Sequence, residues 1–210
     1  MFVKDVMITS PVTIPKSTPI LEALEKMKRL KIRQLPVTDK GHLVGLVTER
    51  ELLTVTPSPA TTLSVFEMNY LLSKMVVSEV MVKDPITVSP ETTIEEAALI
   101  MRENKANCLL VMEAEELAGI ITQTDIFDAF IEFFGLRKAG TRLVLQTHDR
   151  VGALAELTDI IRDMNINIRG FVVHRKDHDT LHIVVRVNTV EPDQLVKELE
   201  ARGIPVLSVS

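Results

Sequence analysis

Apolar positions along this chain switch between a two-residue and a helical rhythm, and the same order of switches occurs twice before a different one begins. Val12–Ile14 alternates as a short strand does, and Ile20, Ala23, Leu24, Met27 and Leu30 then recur on one helical face. Thr18 before Pro19 suits the start of that helix, since proline fits the first helical position and a threonine hydroxyl can cap free amides. Gln34–Thr38 and Leu43–Val47 read as strands around the turn Asp39-Lys40-Gly41, and a second helix is expected from Thr48. The unit is strand, helix, strand, strand, helix.

A shift of 74 positions (80 − 6) lays Val6-Met7 on Val80-Met81, and the match runs without a gap from residue 3 to 53. Pro11/Pro85, Thr13/Thr87, Ile20/Ile94, Ala23/Ala97, Met27/Met101, Gly45/Gly119 and Thr48/Thr122 are identical pairs. Thr92 and Glu95 have capping-box spacing, which places the equivalent helix start in the second copy. Two helices cover only one face of so small a sheet, so pairing of the copies is expected to complete the core. Between them, Thr54–Thr62 reads as a loop and Leu63–Met75 as a short bridging helix. From Thr141 the order becomes Arg142–Gln146 strand, Val151–Met164 helix, Ile168–His174 and Leu181–Val187 paired strands, Pro192–Arg202 helix and Val206–Val209 strand. That is the ferredoxin-like β-α-β-β-α-β arrangement. The expected class is α+β, with units at 1–54, 77–135 and 141–210 and a linker at 55–76.

Composition narrows the possible functions. Net charge is −5 without a dominant Lys/Arg run, so the basic footprint of a nucleic-acid binder is absent. Apolar runs such as Ala97–Met101 and Cys108–Met112 stop at five residues, far short of the about 20 that a spanning helix needs. Met1–Asp5 does not open a signal peptide, and Cys108 is the single cysteine, so a reducing cytoplasm is expected. No Ser-His-Asp set, P-loop or paired-cysteine metal motif is present, and no enzyme, cofactor or metal is expected. His174, His178 and His182 with Asp177 and Asp179 fall around a strand-turn-strand in which His174 and His182 are expected to face opposite ways, a polar hairpin. Cys108 reads as a buried structural thiol. Phe127, Phe130, Phe133 and Phe134 read as core or as a dimer interface.

The chemistry concentrates where the last strand of each copy meets its second helix: Gly45-Leu46-Val47-Thr48-Glu49-Arg50-Glu51 and Gly119-Ile120-Ile121-Thr122-Gln123-Thr124-Asp125. A helix N-terminus suits a phosphate, a threonine hydroxyl suits phosphate or ribose, and a carboxylate one turn on can accept from ribose hydroxyls. The same pairs, Thr48 with Glu51 and Thr122 with Asp125, also fit simple helix caps. In the last unit, Thr147-His148-Asp149-Arg150-Val151-Gly152 precedes a helix that Asp149 can cap, and Asn165-Ile166-Asn167-Ile168 follows it.

The doubled pattern Val-Met…Pro-Val-Thr…Leu-Pro-Val…Gly-Leu-Val-Thr-x-x-Glu resembles a pair of CBS domains, a Bateman module, over about residues 1–130. That resemblance implies adenosyl ligands, such as AMP, ADP, ATP or S-adenosylmethionine, in clefts between the copies. Thr122 would hold phosphate or ribose and Asp125 the ribose hydroxyls. Thr48, Glu51 and Arg50 are the first-copy counterparts, with Glu51 standing where aspartate is usual, and Arg33 is a further source of phosphate-binding charge. Residues 141–210 resemble an ACT domain, which implies an amino acid at Asp149, Gly152 and Asn167 and pairing between chains. The CBS-CBS-ACT order, with the linker 60–72, is similar to acetoin-utilisation proteins of the AcuB type. The expected function is a homodimeric regulatory sensor acting on a partner in carbon metabolism. The alternative is an interaction scaffold with vestigial sites.

Overall fold

Each copy of the repeat is built on a small sheet, and the opening arm of the other copy meets one edge of each, as a strand in one sheet and as an isolated bridge in the other. The computed structural model describes residues 1–55, 67, 70 and 73–210, so most of the expected bridging helix lies outside the described residues. The chain divides into two units, Met1–Ile126 and Phe127–Ser210. In the first copy β1 (Ile8–Thr9) is followed by β2 (Ile14–Pro15), α1 (Ile20–Leu30), β3 (Gln34–Asp39), β4 (His42–Thr48) and α2 (Glu49–Thr54). The second has β5 (Thr87–Val88), α3 (Ile94–Asn104), β6 (Cys108–Glu113), β7 (Glu116–Thr122) and α4 (Gln123–Phe133). Strand β2 runs parallel to β3, which pairs antiparallel with β4; β5, β6 and β7 repeat this.

The chain segment that opens each copy lies on the other copy. Strand β1 pairs with β7 through Ile8↔Ile120 and Thr9↔Gly119, and Val82 makes the matching bridge to Leu46. The Val3 amide donates to the Thr92 carbonyl at 2.8 Å, and the Val77 amide to the Thr18 carbonyl at 2.9 Å. Likewise Lys4 donates to Pro90 and Ser78 to Lys16, both at 3.0 Å. Val3 and Val77 are completely buried. Gly45 and Gly119 are required beneath these arms. A Cβ on Gly119 would lie 2.7 Å from Met7 Sδ and 2.9 Å from the Ile8 carbonyl, and one on Gly45 would lie 2.7 Å from both Met81 Sδ and the Val82 carbonyl.

The arms also move the helix starts. Helix α1 has Pro19 as its N-cap, without a side-chain bond, and Thr18 is buried rather than capping. Helix α3 is capped by Thr93, whose hydroxyl accepts from the Glu96 amide at 3.2 Å, so the expected Thr92–Glu95 box sits one residue too early. The reason is that Pro19 and Thr93 are held extended, bridged to Val76 and Phe2 of the opposite arms. Leu46, Cys108, Leu110 and Ile120 form a shared core between the copies.

The second unit contains β8 (Thr141–His148), α5 (Ala153–Asp163), β9 (Ile168–Arg175), β10 (Thr180–Val187), α6 (Asp193–Ala201) and β11 (Val206–Val209). Its sheet has the order β11-β8-β10-β9, antiparallel throughout. Inward residues of β8 and β10, such as Leu143, Leu145, Ile183 and Val185, pack against Leu157, Ile160, Leu195 and Leu199 of the two helices. The observed fold is the expected α+β combination. One correction concerns the hairpin: His174 and His182 are direct cross-strand partners on one sheet face, not on opposite faces. Among the described residues no cluster of three or more His, Cys, Asp or Glu could hold a metal ion.

Candidate functional site

A cleft of about 770 Å³ opens between the two copies, within the range of small-molecule sites. It gathers Thr122 and Asp125 of the second copy with Thr48 and Arg50 of the first, four of the residues singled out from sequence. Glu51 is not among its lining residues.

Asp125 is both a cap and a wall of this cleft. Its Oδ2 accepts from the Thr122 amide and from the Thr122 hydroxyl, both at 2.7 Å. Its Oδ1 has no hydrogen-bond partner among the described residues and remains an acceptor for a ligand. The cap reading and the ligand reading are therefore compatible, because each uses a different oxygen. In the first copy, Glu51 Oε2 accepts from the Thr48 amide at 3.0 Å and also bonds the Thr48 hydroxyl.

The helix N-terminus itself is less open than the sequence suggests. The Thr122 amide is taken by Asp125, the Gln123 amide donates to the Asn107 carbonyl at 3.0 Å, and the Asp125 amide reaches the Thr122 hydroxyl at 3.4 Å. Positive charge in the cleft comes from side chains instead. Lys31, Arg33 and Arg50 line it, and none has an ion-pair partner among the described residues.

Sequence reasoning missed the floor and rim contributed by Ser10, Pro11 and Val12, and by Gln34, Asn107 and Ile120. The Pro11/Pro85 identity marked the segment, but only the crossing of β1 onto β7 brings it beside Thr122. Ser10 adopts a left-handed backbone with φ of 53°, a strained conformation for a residue with a side chain. Cys108 sits beneath the cleft at 5% exposure, and burial, with the Glu51 charge adding to it, pushes its thiol up to about 12. Such a thiol is protonated and unreactive near neutrality.

In the second unit a separate cleft of about 590 Å³ is lined by Asp149, Arg150, Gly152, Val173 and Arg175. Asp149 does not cap α5. Its carboxylate pairs with Arg175 at 2.5 Å, and Gly152, with φ of 89°, is the N-cap. Asn167 is not in this cleft. Strands β8 and β9 both run antiparallel to β10, so Asp149 follows the end of one and Asn167 precedes the start of the other, at opposite ends of the sheet. Seven strand steps separate those ends, roughly 20 Å. Asn167 instead donates its amide to Asn188 Oδ1 at 2.9 Å.

A doubled strand-helix-strand-strand-helix unit with exchanged opening arms and a shared polar cleft, followed by a ferredoxin-like unit, defines a paired two-copy module with an appended α+β domain. The chain belongs to the CBS domain family, which it matches over residues 3–57 and 77–132, and it carries an ACT domain matched over 141–203. Inosine-5'-monophosphate dehydrogenase of Korarchaeum cryptofilum is 34% identical over 156 residues, 74% of this chain. The match covers only 28% of that enzyme's length. Among solved structures, a Vibrio cholerae protein assigned to acetoin utilisation (AcuB) has a TM-score of 0.53 and 30% identity, covering 62% of this chain and 90% of that one. Arabidopsis thaliana CBSX2, solved in complex with AMP, has a TM-score of 0.52 and 31% identity, covering 62% and 96%.

Proposed function

We propose that this protein is a regulatory sensor that binds an adenosyl ligand in the cleft between its CBS copies and thereby controls a partner protein. The observation that carries the reading is the Oδ1 of Asp125, free among the described residues, on a cleft it shares with Thr122 and three cations that have no ion-pair partner among those residues. AMP bound by a relative that is 31% identical supports the ligand class. In this reading Asp125 accepts from the ribose hydroxyls, Thr122 adds a hydroxyl contact, and Arg50 and Thr48 close the opposite wall. The acetoin-type metabolic partner rests on the AcuB likeness, and an amino acid at Asp149 and Gly152 rests on the ACT match.

Calorimetric titration with AMP tests the site. Asp125→Ala is expected to weaken binding by about 1.5–3 kcal/mol, the range for hydrogen bonds to a charged group, or roughly ten- to a hundredfold. It also removes a cap, so melting should fall by about 1 kcal/mol as well. An unchanged affinity alongside that lower stability would leave Asp125 a cap only and favour the interaction scaffold.

A further inference from the structure

Both helices of the second unit pack on one face of its sheet. Side chains alternate along a strand, so while Leu143, Leu145, Ile183 and Val185 enter that core, Arg142, Val144, Val184 and Arg186 stand on the other face. At one end of this face Arg142 and Arg186 are direct cross-strand partners, and Gly170 is the partner of Arg186 on its other side. The register shifts next to this row, and the extra residue in the bulge is Arg169. Like charges directly opposite one another oppose folding. The remaining arginines of the unit, Arg137, Arg150, Arg162, Arg175 and Arg202, each hold a carboxylate at 2.5–2.7 Å. Arg142, Arg169 and Arg186 have no ion pair or side-chain hydrogen bond among the described residues, although Arg142 and Arg186 are half-buried. No position on this face of the strands is Asp or Glu. The place is also held rigid. A Cβ on Gly170 would lie 2.5 Å from the Phe134 carbonyl and one on Gly135 2.9 Å from the Arg169 carbonyl, so the turn after α4 forms a wall against the row. Just beyond it, the Asn188 amide donates to the Asn167 carbonyl at 3.0 Å and the Asn167 amide to Asn188 Oδ1 at 2.9 Å, which ties β9 to β10.

We propose that Arg142, Arg186 and Arg169 form a binding site for a multiply charged oxyanion, a phosphoryl or polycarboxylate group, on the face of the ACT sheet opposite its helices. The site stands at the far end of the sheet from Asp149 and Gly152 and does not depend on the adenosyl reading of the CBS cleft. All three cations are arginines, whose planar forks each grip two oxygens of one group. Neighbouring strands lie about 4.8 Å apart, so side chains this long converge on a single anion. One negative charge would leave most of the repulsion between them standing, whereas two or more offset it. The free protein carries that repulsion and the bound anion removes it, so binding and stability are linked.

Calorimetry of the full chain with pyrophosphate and citrate, and with acetate as the singly charged control, tests the site at low ionic strength. The titrations use Arg33→Gln/Arg50→Gln, whose CBS cleft has lost those charges, with and without Arg142→Gln/Arg186→Gln added. Expected is one probe per chain, held at least about tenfold more tightly than acetate and weakened at least about tenfold by the added pair, the scale of lost charge-assisted hydrogen bonds. The tighter of the two probes names the group. Arg142→Lys/Arg186→Lys keeps the charge without the fork and should lose at least about threefold. Melting gives a second reading on otherwise unaltered protein. Without anion, Arg142→Gln/Arg186→Gln should melt no lower than wild type, because a repulsion has gone, and the tighter probe should raise the melting temperature of wild type more than that of the variant. A variant that melts lower or fails to fold without anion would make the arginines structural and overturn the proposal. Failure of both probes to bind, or affinity unchanged by the added pair, would overturn it as well.

Discussion

Gly45 and Gly119 show how a single hydrogen atom can decide a tertiary contact. Both residues were visible in the repeat as an identical pair, yet their reason lies far along the chain, in the arm of the opposite copy: Met81 and Val82 for Gly45, Met7 and Ile8 for Gly119. Gly119→Ala would push a methyl against the Ile8 carbonyl at 2.9 Å as well as Met7 Sδ. The thioether can swing aside, but the backbone cannot, so a loss of about 1–3 kcal/mol is expected in urea unfolding, the usual cost of overpacking. Met7→Ala should recover only part of it. Cys108 was readable as buried from its apolar strand. With its thiol held at about 12, alkylation at pH 8 should be far slower in the native protein than in denaturant, as followed by mass spectrometry. The unfolded thiol ionises near 9 and the native one only near 12, so the group's contribution to stability is full below 9 and is lost as pH rises from 9 towards 12. Fast native alkylation would contradict the burial. The role of Asp125 was legible only as two alternatives, because a capping spacing and a ligand spacing are the same spacing; the separate fates of its two oxygens resolve them.

Strands and helices were largely legible because their periodicity is local. Strands β3, β4, β6 and β7 fall where alternation places them, and the ferredoxin-like order from Thr141 was readable in full. What local pattern does not carry is which edge a strand joins. Two-residue strands such as β1 have too little alternation to announce a partner, so the crossing that builds the cleft was hidden. The same limit applies to Asn167: the ACT resemblance grouped it with Asp149, while strand direction puts the two at opposite ends of the sheet within one chain. Deleting residues 1–9 removes the buried Val3, the Lys4–Glu91 ion pair at 2.7 Å and the partner of β7. Burial of the Val3 side chain alone accounts for roughly 2 kcal/mol, so urea unfolding should shift by at least about that amount and AMP binding should be lost with Ser10 and Val12 displaced. A truncated chain of unchanged stability would mean that the arm is not an integral part of the second sheet.

At the scale of the molecule, Phe127 is 63% exposed and Phe134 39% within the chain, beside Phe130 and Phe133 whose rings are 6.1 Å apart. We propose that a second chain covers this surface, since large exposed aromatic groups mark interaction sites; sedimentation at micromolar concentration should find a homodimer, and a monomer would refute it. No helix among the described residues is long and apolar enough to cross a membrane.

The exchanged arms also set the order of events during synthesis. The first copy leaves the ribosome lacking Val77 and Met81, the groups that seal its sheet, and cannot finish until residues beyond 82 have been made. The second copy, by contrast, finds Met1 to Thr9 already waiting. Folding of this half is thus a single late event rather than one domain after another. Until Val82 has been made, the first sheet keeps the β4 edge at Leu46 without its partner.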